Sequence, residues 1–265
     1  MPNTDPLFAS RFAKALASRV LVLDGAMGTS LYSRDLTVEG DYCGCENCTD
    51  ILVDTRPDVV EEIHKEFLEV GADCIETNSF GANKLVLAEF DRADKAYEYA
   101  KKSAEIARAA ADAYATDDKP RFVMGSMGPG TKLITLGNTD WPSMLDSYAE
   151  EARGLIDGGI DAFLIETCQD ILQVKCAINA CLQALQEKNR SIADIPICIS
   201  VTIEQTGTML MGTSIEAAAH ALNAEGPGAL ARICAARSLP LAHLSTDYVF
   251  DGTLGRPYRE DDPIA

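Results

Sequence analysis

Three carboxylates in this chain stand where short apolar runs end. Asp24 follows Val20-Leu21-Val22-Leu23, Glu76 follows Asp73-Cys74-Ile75, and Glu166 follows Ala162-Phe163-Leu164-Ile165. Asn78 lies two beyond Glu76, Ser126 closes the run that begins at Phe122, and Thr202 and Glu204 follow Ile197–Val201. Carboxylates gathered around one small molecule grip an ammonium group, because each ionised oxygen accepts a charge-assisted hydrogen bond. On the residues alone a blander reading stays open, in which Asp24 and Glu166 accept hydrogen bonds from loop amides at a sheet rim.

Other reactive side chains are weighed the same way. Cys43, Cys45 and Cys48 put three thiols within six residues, enough to interest a soft metal. A closed site wants a fourth ligand, for which His64 is the candidate, and a loop of reduced thiols is the preferred reading. Gly125-Ser126-Met127-Gly128-Pro129-Gly130-Thr131-Lys132 imitates a phosphate loop. Its Thr-Lys order is reversed and Pro129 removes a donor, so a turn at the sheet mouth is expected. Cys168 is a solitary thiol and cannot supply the three or four protein ligands zinc takes. His64, His220 and His243 read as structural or solvated.

Residues so distant in sequence need a scaffold whose strand ends converge. Leu7, Phe8, Phe12 and Leu16 recur at helical spacing, and Val20–Leu23 reads as a buried strand. Pro57 opens a helix whose apolar face is Val59, Val60, Ile63, Phe67 and Val70, and Gly71 closes it. A strand over Asp73–Thr77 follows. Further helices are expected over about 93–114, 141–157 and 171–187, alternating with strands at 122–124, 162–165 and 197–201. The alternation specifies an α/β fold with parallel strands.

Gly71-Ala72-Asp73-Cys74-Ile75-Glu76-Thr77 is echoed by the stretch from Gly159 to Glu166-Thr167. Asp73 and Asp161 are 88 positions apart with one strand between them, so a unit takes about 44 residues, a size suited to a (β/α)8 barrel. About five βα units are counted by Val201 where eight close a barrel. The expected architecture is an incomplete (β/α)8 TIM-type barrel over 1–222, followed by a short Rossmann-like βα fragment over 223–265.

The chain has 265 residues, 47% of them hydrophobic, with 23 basic and 41 acidic residues for a net charge of −18. That balance excludes a phosphate-backbone partner, which needs clustered Lys and Arg, so no nucleic acid is expected. No apolar run approaches the ~18 residues of a membrane span. Nine cysteines scattered through apolar segments fit reduced thiols in the cytoplasm better than disulfides.

Several long motifs carry a more specific signal: Leu21-Val22-Leu23-Asp24-Gly25-Ala26-Met27-Gly28-Thr29, Thr55-Arg56-Pro57-Asp58-Val59, Gly71 through Phe80, Gly125 through Pro129, Leu155 through Thr167, and Thr206-Gly207-Thr208. In this order they resemble the homocysteine-binding barrel of the cobalamin-dependent methionine synthases, over roughly residues 10–220. The resemblance implies methyl transfer from methylcobalamin, on a cobalamin-carrying domain or protein, to the sulfur of homocysteine. It implies that Asp24, Gly25 and Glu166 hold the amino-acid part of the substrate; Glu76 and Asn78, from their place at a strand end, are the further candidates for the substrate rim. It also implies zinc, which makes the thiolate, yet the family's zinc cysteines on its sixth and eighth strands have no counterpart here. The chain is therefore expected to be a catalytically incomplete transferase, or a non-catalytic amino-acid-binding module.

From about residue 223 the pattern changes. Asn223 through Ala231, Leu241 through Gly252 and Gly255 through Pro263 are similar to the middle of dTDP-4-dehydrorhamnose reductases, extended short-chain dehydrogenases. Helix 229–236, strand 240–245 and a Gly/Pro-rich loop would form one βα piece. The resemblance assigns Thr246 a catalytic role, but the Tyr-x-x-x-Lys pair and the glycine-rich loop that cradles NADPH are both absent, so no NADPH site is expected. A truncated barrel fused to a fragment of another fold, with oxidoreductase chemistry in the tail as a further alternative, completes the expectations.

Overall fold

The computed structural model describes residues 10–224. Helix α1, Arg11–Ser18, is capped by Ser10, whose hydroxyl accepts the Ala13 N–H at 3.1 Å. Then come α2 (Met27–Tyr32), α3 (Leu52–Thr55) and α4 (Pro57–Val70). Pro57 sits in the first turn of α4, where no N–H partner is needed, and Gly71 ends the helix at φ 115°, a left-handed conformation that favours glycine. The chain continues through β1 (Cys74–Glu76), α5 (Lys84–Leu87), α6 (Ala96–Tyr114), β2 (Phe122–Met127), α7 (Trp141–Gly158), β3 (Ala162–Cys168), α8 (Ile171–Glu187), β4 (Ile197–Val201) and α9 (Ile215–Ala224). Asp140 and Asp170 cap α7 and α8 by accepting the Ser143 and Leu172 N–H groups.

The four strands form one parallel sheet in chain order, β1-β2-β3-β4. Alternation along each strand separates two layers. Ile75, Val123, Phe163 and Ile165 pack into the main core under the helices. Cys74, Phe122, Met124, Ala162 and Leu164 face the other way and form a small cluster closed by Phe12 and Leu16 of α1. Phe12 meets Phe122 edge-on, with ring centroids 5.6 Å apart.

Two expectations are corrected. The strand expected over Val20–Leu23 is reduced to one parallel bridge, Leu23 to Cys74, so the described sheet has four strands rather than five. Val20 is 82% and Val22 56% exposed. An apolar run is buried only where neighbours cover both of its sides, and here the described residues supply β1 alone. The same open edge means that the described sheet is not closed into a barrel. Gly125, Ser126 and Met127 belong to β2, and the irregular loop starts only at Gly128. Gly125 is no breaker here: a side chain at that position would sit 3.0 Å from both Ile160 and Leu155, so the bare backbone admits the helix layer. Residues 225–265, where the reductase-like fragment is expected and where His243 and Thr246 fall, lie outside the described residues.

The internal echo has a physical basis. Gly71 and Gly159 both cap their helices in the left-handed region, at φ 115° and 95°. Asp73 then accepts the Val22 N–H, and Asp161 accepts the Val123 N–H at 2.8 Å. Each aspartate thus ties the start of its own strand to the segment beside it. Asp73 also takes both ends of the Arg19 guanidinium at 2.9 Å. That pairing holds its carboxyl below the usual range, so its stabilising contribution is full above the unfolded value near 4 and is lost as pH falls through the lower folded value. Asp73→Asn is expected to cost about 1–2 kcal/mol at neutral pH. In urea titrations the gap from the parent should close in acid; a gap that persists there would remove the ion pair as its cause.

Candidate functional site

On the face of the sheet turned away from the main helix layer, Glu76, Ser126 and Glu166 occupy the same alternating series as Cys74, Met124 and Leu164. The pairing register sets Glu76 opposite Met124 and Ser126 opposite Leu164, so Glu166 stands nearer the mouth than Glu76. Asp24 joins them from the edge segment: its N–H donates to Cys74 O at 3.0 Å, and its two oxygens accept the Glu76 N–H at 3.1 and 3.0 Å. Acids from three remote stretches thereby share one half-buried hollow.

A buried hydroxyl relay sets the heights of these groups. Thr77 Oγ1 accepts the Ser126 N–H at 2.9 Å and lies 2.6 Å from Ser79 Oγ, which donates to Ser126 O at 2.8 Å. With its backbone pinned, Ser126 donates its hydroxyl to Glu166 Oε1. The neighbouring Thr167 side chain also favours the ionised form of Glu166. Thr167 has φ 59°, uncommon for a β-branched residue, at the irregularity where β3 and β4 slip register between Ile165 and Cys168. The Glu-Thr repeat signalled a shared strand end in the sequence, but not that this threonine would be strained.

Electrostatically the hollow is unbalanced. Burial, with Glu166 adding its charge, pushes Asp24 up to about 8 despite the N–H groups that favour its ionised form. Burial also raises Glu76 and Glu166, and Glu76 feels the charges of both other acids. Among the described residues, no lysine or arginine is among the charges acting on the three. A site of this kind favours an incoming cation. Ser126→Ala is expected to leave the fold intact and to raise the Glu166 carboxyl further, since the lost hydroxyl stabilises its ionised form. Carbon-13 NMR titration of that carboxyl reads the shift, and an unchanged midpoint would contradict it.

The remaining candidates divide. Gly25 lies against α4: a Cβ there would come within 3.1 Å of the Phe67 ring, so the loop after Asp24 rests flat on the helix. Asn78 is buried, and its amide donates to Thr49 O at 2.9 Å, bracing the loop before α3. Thr202 continues β4 by donating its N–H to Cys168 O, and Glu204 is exposed in the next turn. Cys168 is buried, its thiol 3.5 Å from Glu166 O and held protonated by burial. Cys43 is exposed, Cys45 accepts from Arg92 Nε at 3.4 Å, and Cys48 is a core thiol pushed up to about 12 by burial. His64 is fully buried on α4 with neither ring nitrogen hydrogen-bonded, and burial lowers it to about 4, so it is a neutral core histidine. Among the described residues no group of three His, Cys, Asp or Glu side chains is arranged to hold a metal, and no helix is long and apolar enough to cross a membrane. The eight described cysteines are free thiols.

Comparison with known proteins adds three findings. Residues 21–246 match the family model described as homocysteine S-methyltransferase. Methionine synthase of Mycobacterium leprae is 47% identical over 236 residues, 88% of this chain and 19% of that protein. Methionine synthase of Mycobacterium tuberculosis is 45% identical over 243 residues, 90% of this chain and 20% of that protein. The chain thus spans about a fifth of the length of these curated relatives. Among solved structures, the homocysteine methyltransferase MmuM from Escherichia coli in its metallated form aligns with a TM-score of 0.64 at 22% identity, covering 84% of this chain and 75% of that one. Its apo form gives 0.59 at 23% identity over 84% and 73%. At such identity the likeness is one of fold. The family match runs past residue 222, into the stretch expected to be a reductase fragment, for which the comparisons give no support.

Proposed function

The chain belongs to the homocysteine S-methyltransferase family, and from that premise we propose that it is the homocysteine-holding part of a methionine-synthase-type enzyme. Asp24 and Glu166 grip the substrate ammonium, the backbone at Gly25 lies along its amino-acid end, and the thiol points out of the mouth. The methyl donor is methylcobalamin, presented by a cobalamin-carrying domain or protein. The observation that supports this most is that Asp24 and Glu166, 142 positions apart, share a cation-seeking hollow while each accepts donors that favour its charge.

Zinc, implied by the family, would lower the thiol's pKa from ~8.5 and leave a thiolate for methyl transfer. The described residues do not fit it: Cys168 is buried and protonated, and no three-ligand cluster is present among them. That donor set favours a second reading, in which this chain by itself captures the amino acid without transferring a methyl group. Its free thiols suit a reducing cytoplasm.

For the tail we retain the division at 222/223 as part of the proposal, with Thr246 outside the substrate site. The family match crosses that division and extends to residue 246. Calorimetric titration with L-homocysteine and L-methionine tests the site. Heat with both, and none with the des-amino analogue of either, is expected; absence of heat with both would end the reading.

A further inference from the structure

Of the three acids in the hollow, two have hydrogen-bond donors aimed at their oxygens and one does not. Asp24 accepts the Glu76 N–H on both oxygens, and Glu166 accepts Ser126 Oγ–H. Glu76, deepest in the register, receives no donor on its carboxyl among the described residues. Its own backbone N–H instead stabilises negative charge on its neighbour Asp24. The groups facing it are Asp24 from the edge segment and Glu166 from β3; β2 contributes uncharged Ser126 and Met124, the Cys74 thiol lies below, and Cys198 of β4 stands at the level of Ser126. An ionised Glu76 would be a third negative charge with neither donor nor cation to offset it.

Resting on the function proposed above, we propose that Glu76 is a positioning residue: it holds a proton in the empty site and releases it when the ammonium of an amino acid enters, coupling substrate capture to proton release. The proton passes from the Glu76 carboxyl to solvent, leaving the carboxylate, and no bond of the substrate changes. A cation bound by Asp24 and Glu166 favours ionisation of the acid beneath it. By linkage, binding must then tighten as pH rises through the range in which the empty-site Glu76 is protonated, until the ligand's own ammonium begins to titrate.

The test uses L-methionine, which has the ammonium but no titratable sulfur, with the full chain at about pH 8.5, above the Asp24 midpoint. Binding enthalpies are measured in buffers of low and high ionisation enthalpy. The parent is expected to show a buffer-dependent enthalpy corresponding to release of a sizeable fraction of one proton. Glu76→Gln should still bind, with that dependence reduced to the small contribution of the ligand. Equal buffer dependence in parent and Glu76→Gln, or none in the parent, overturns the proposal while leaving the amino-acid site standing. No heat at all overturns both. Should Glu76→Gln fail to fold, carbon-13 NMR of the Glu76 carboxyl in the ligand-free parent decides: titration above Asp24 is expected, and titration in the ordinary carboxylate range refutes the proton's location.

Discussion

Glu166→Ala is expected to remove measurable amino-acid binding, a loss of about 100-fold or more in affinity. A charge-assisted hydrogen bond is worth about 1.5–3 kcal/mol, and alanine removes the bond and half of the proposed charge pair together. It also leaves the Ser126 hydroxyl without the acceptor it now has. Glu166→Gln separates charge from shape: the amide oxygen can still accept from Ser126, so the local geometry survives while the negative charge is lost. A loss of at least about tenfold is expected for Gln, intermediate between parent and alanine. Calorimetry with homocysteine and methionine supplies the affinities, and thermal unfolding supplies the control. Glu166 repels Asp24 and Glu76 in a half-buried space, so both variants should unfold at the same temperature as the parent or higher. Residues kept for binding at the expense of stability behave in this way. Parent-like affinity in Glu166→Ala would remove Glu166 from the site; a large drop in melting temperature would mean that binding was lost with the fold.

The second large effect lies in the scaffold. Gly154→Ala, in the middle of α7, is expected to destabilise the protein by about 2–3 kcal/mol, although alanine is the better helix former by about 1 kcal/mol. The new methyl group would lie 2.9 Å from Ala100 Cβ and 3.0 Å from Lys101 N, and closer still to Tyr97 O. Those neighbours are α6 backbone and a stub of side chain, none able to swing aside, so the two helices must part. Gly28→Ala in α2 makes the contrast: a Cβ there meets nothing within 4 Å, and a gain of up to about 1 kcal/mol is expected. Urea unfolding should move the midpoint down by about 1 M for Gly154→Ala and slightly up for Gly28→Ala. Equal, small shifts for both would show that α6 and α7 are not packed backbone to backbone. The effect bears on the hollow, because α7 lies on the outer layer against which β2 and β3 are set.

Much of this layout was legible from local chemistry. Pro57 and Gly71 bracket α4, the Gly-x-Asp openings at 71 and 159 mark two strands, and Glu76 and Glu166 stand at or near those strands' ends on one face. Helix caps, punctuation and period-two alternation depend on residues a few positions apart, so they survive being read one segment at a time. The short helices α2, α3 and α5 gave no such signal, being too brief to show a period.

What escaped the linear reading depends on neighbours distant along the chain. Val20–Leu23 has the composition of a buried strand, but nothing described covers its outer side. Gly125 looks like a turn and is a strand residue because Leu155 and Ile160 need its missing side chain. That the Asn78 amide donates to Thr49 O, far earlier in the chain, has no signal in the local sequence.

The amino-acid order by itself determined the α/β class, the parallel strands, the family and which acids would stand at strand ends, because each of these follows from residue type and short-range spacing. Only the tertiary structure decided that Asp24 and Glu166 would be braced by donors while Glu76 would not, and that Cys168 and His64 would be sealed away from chemistry. Donors, solvent and charge reach a side chain through space, and spacing along the chain does not record who arrives.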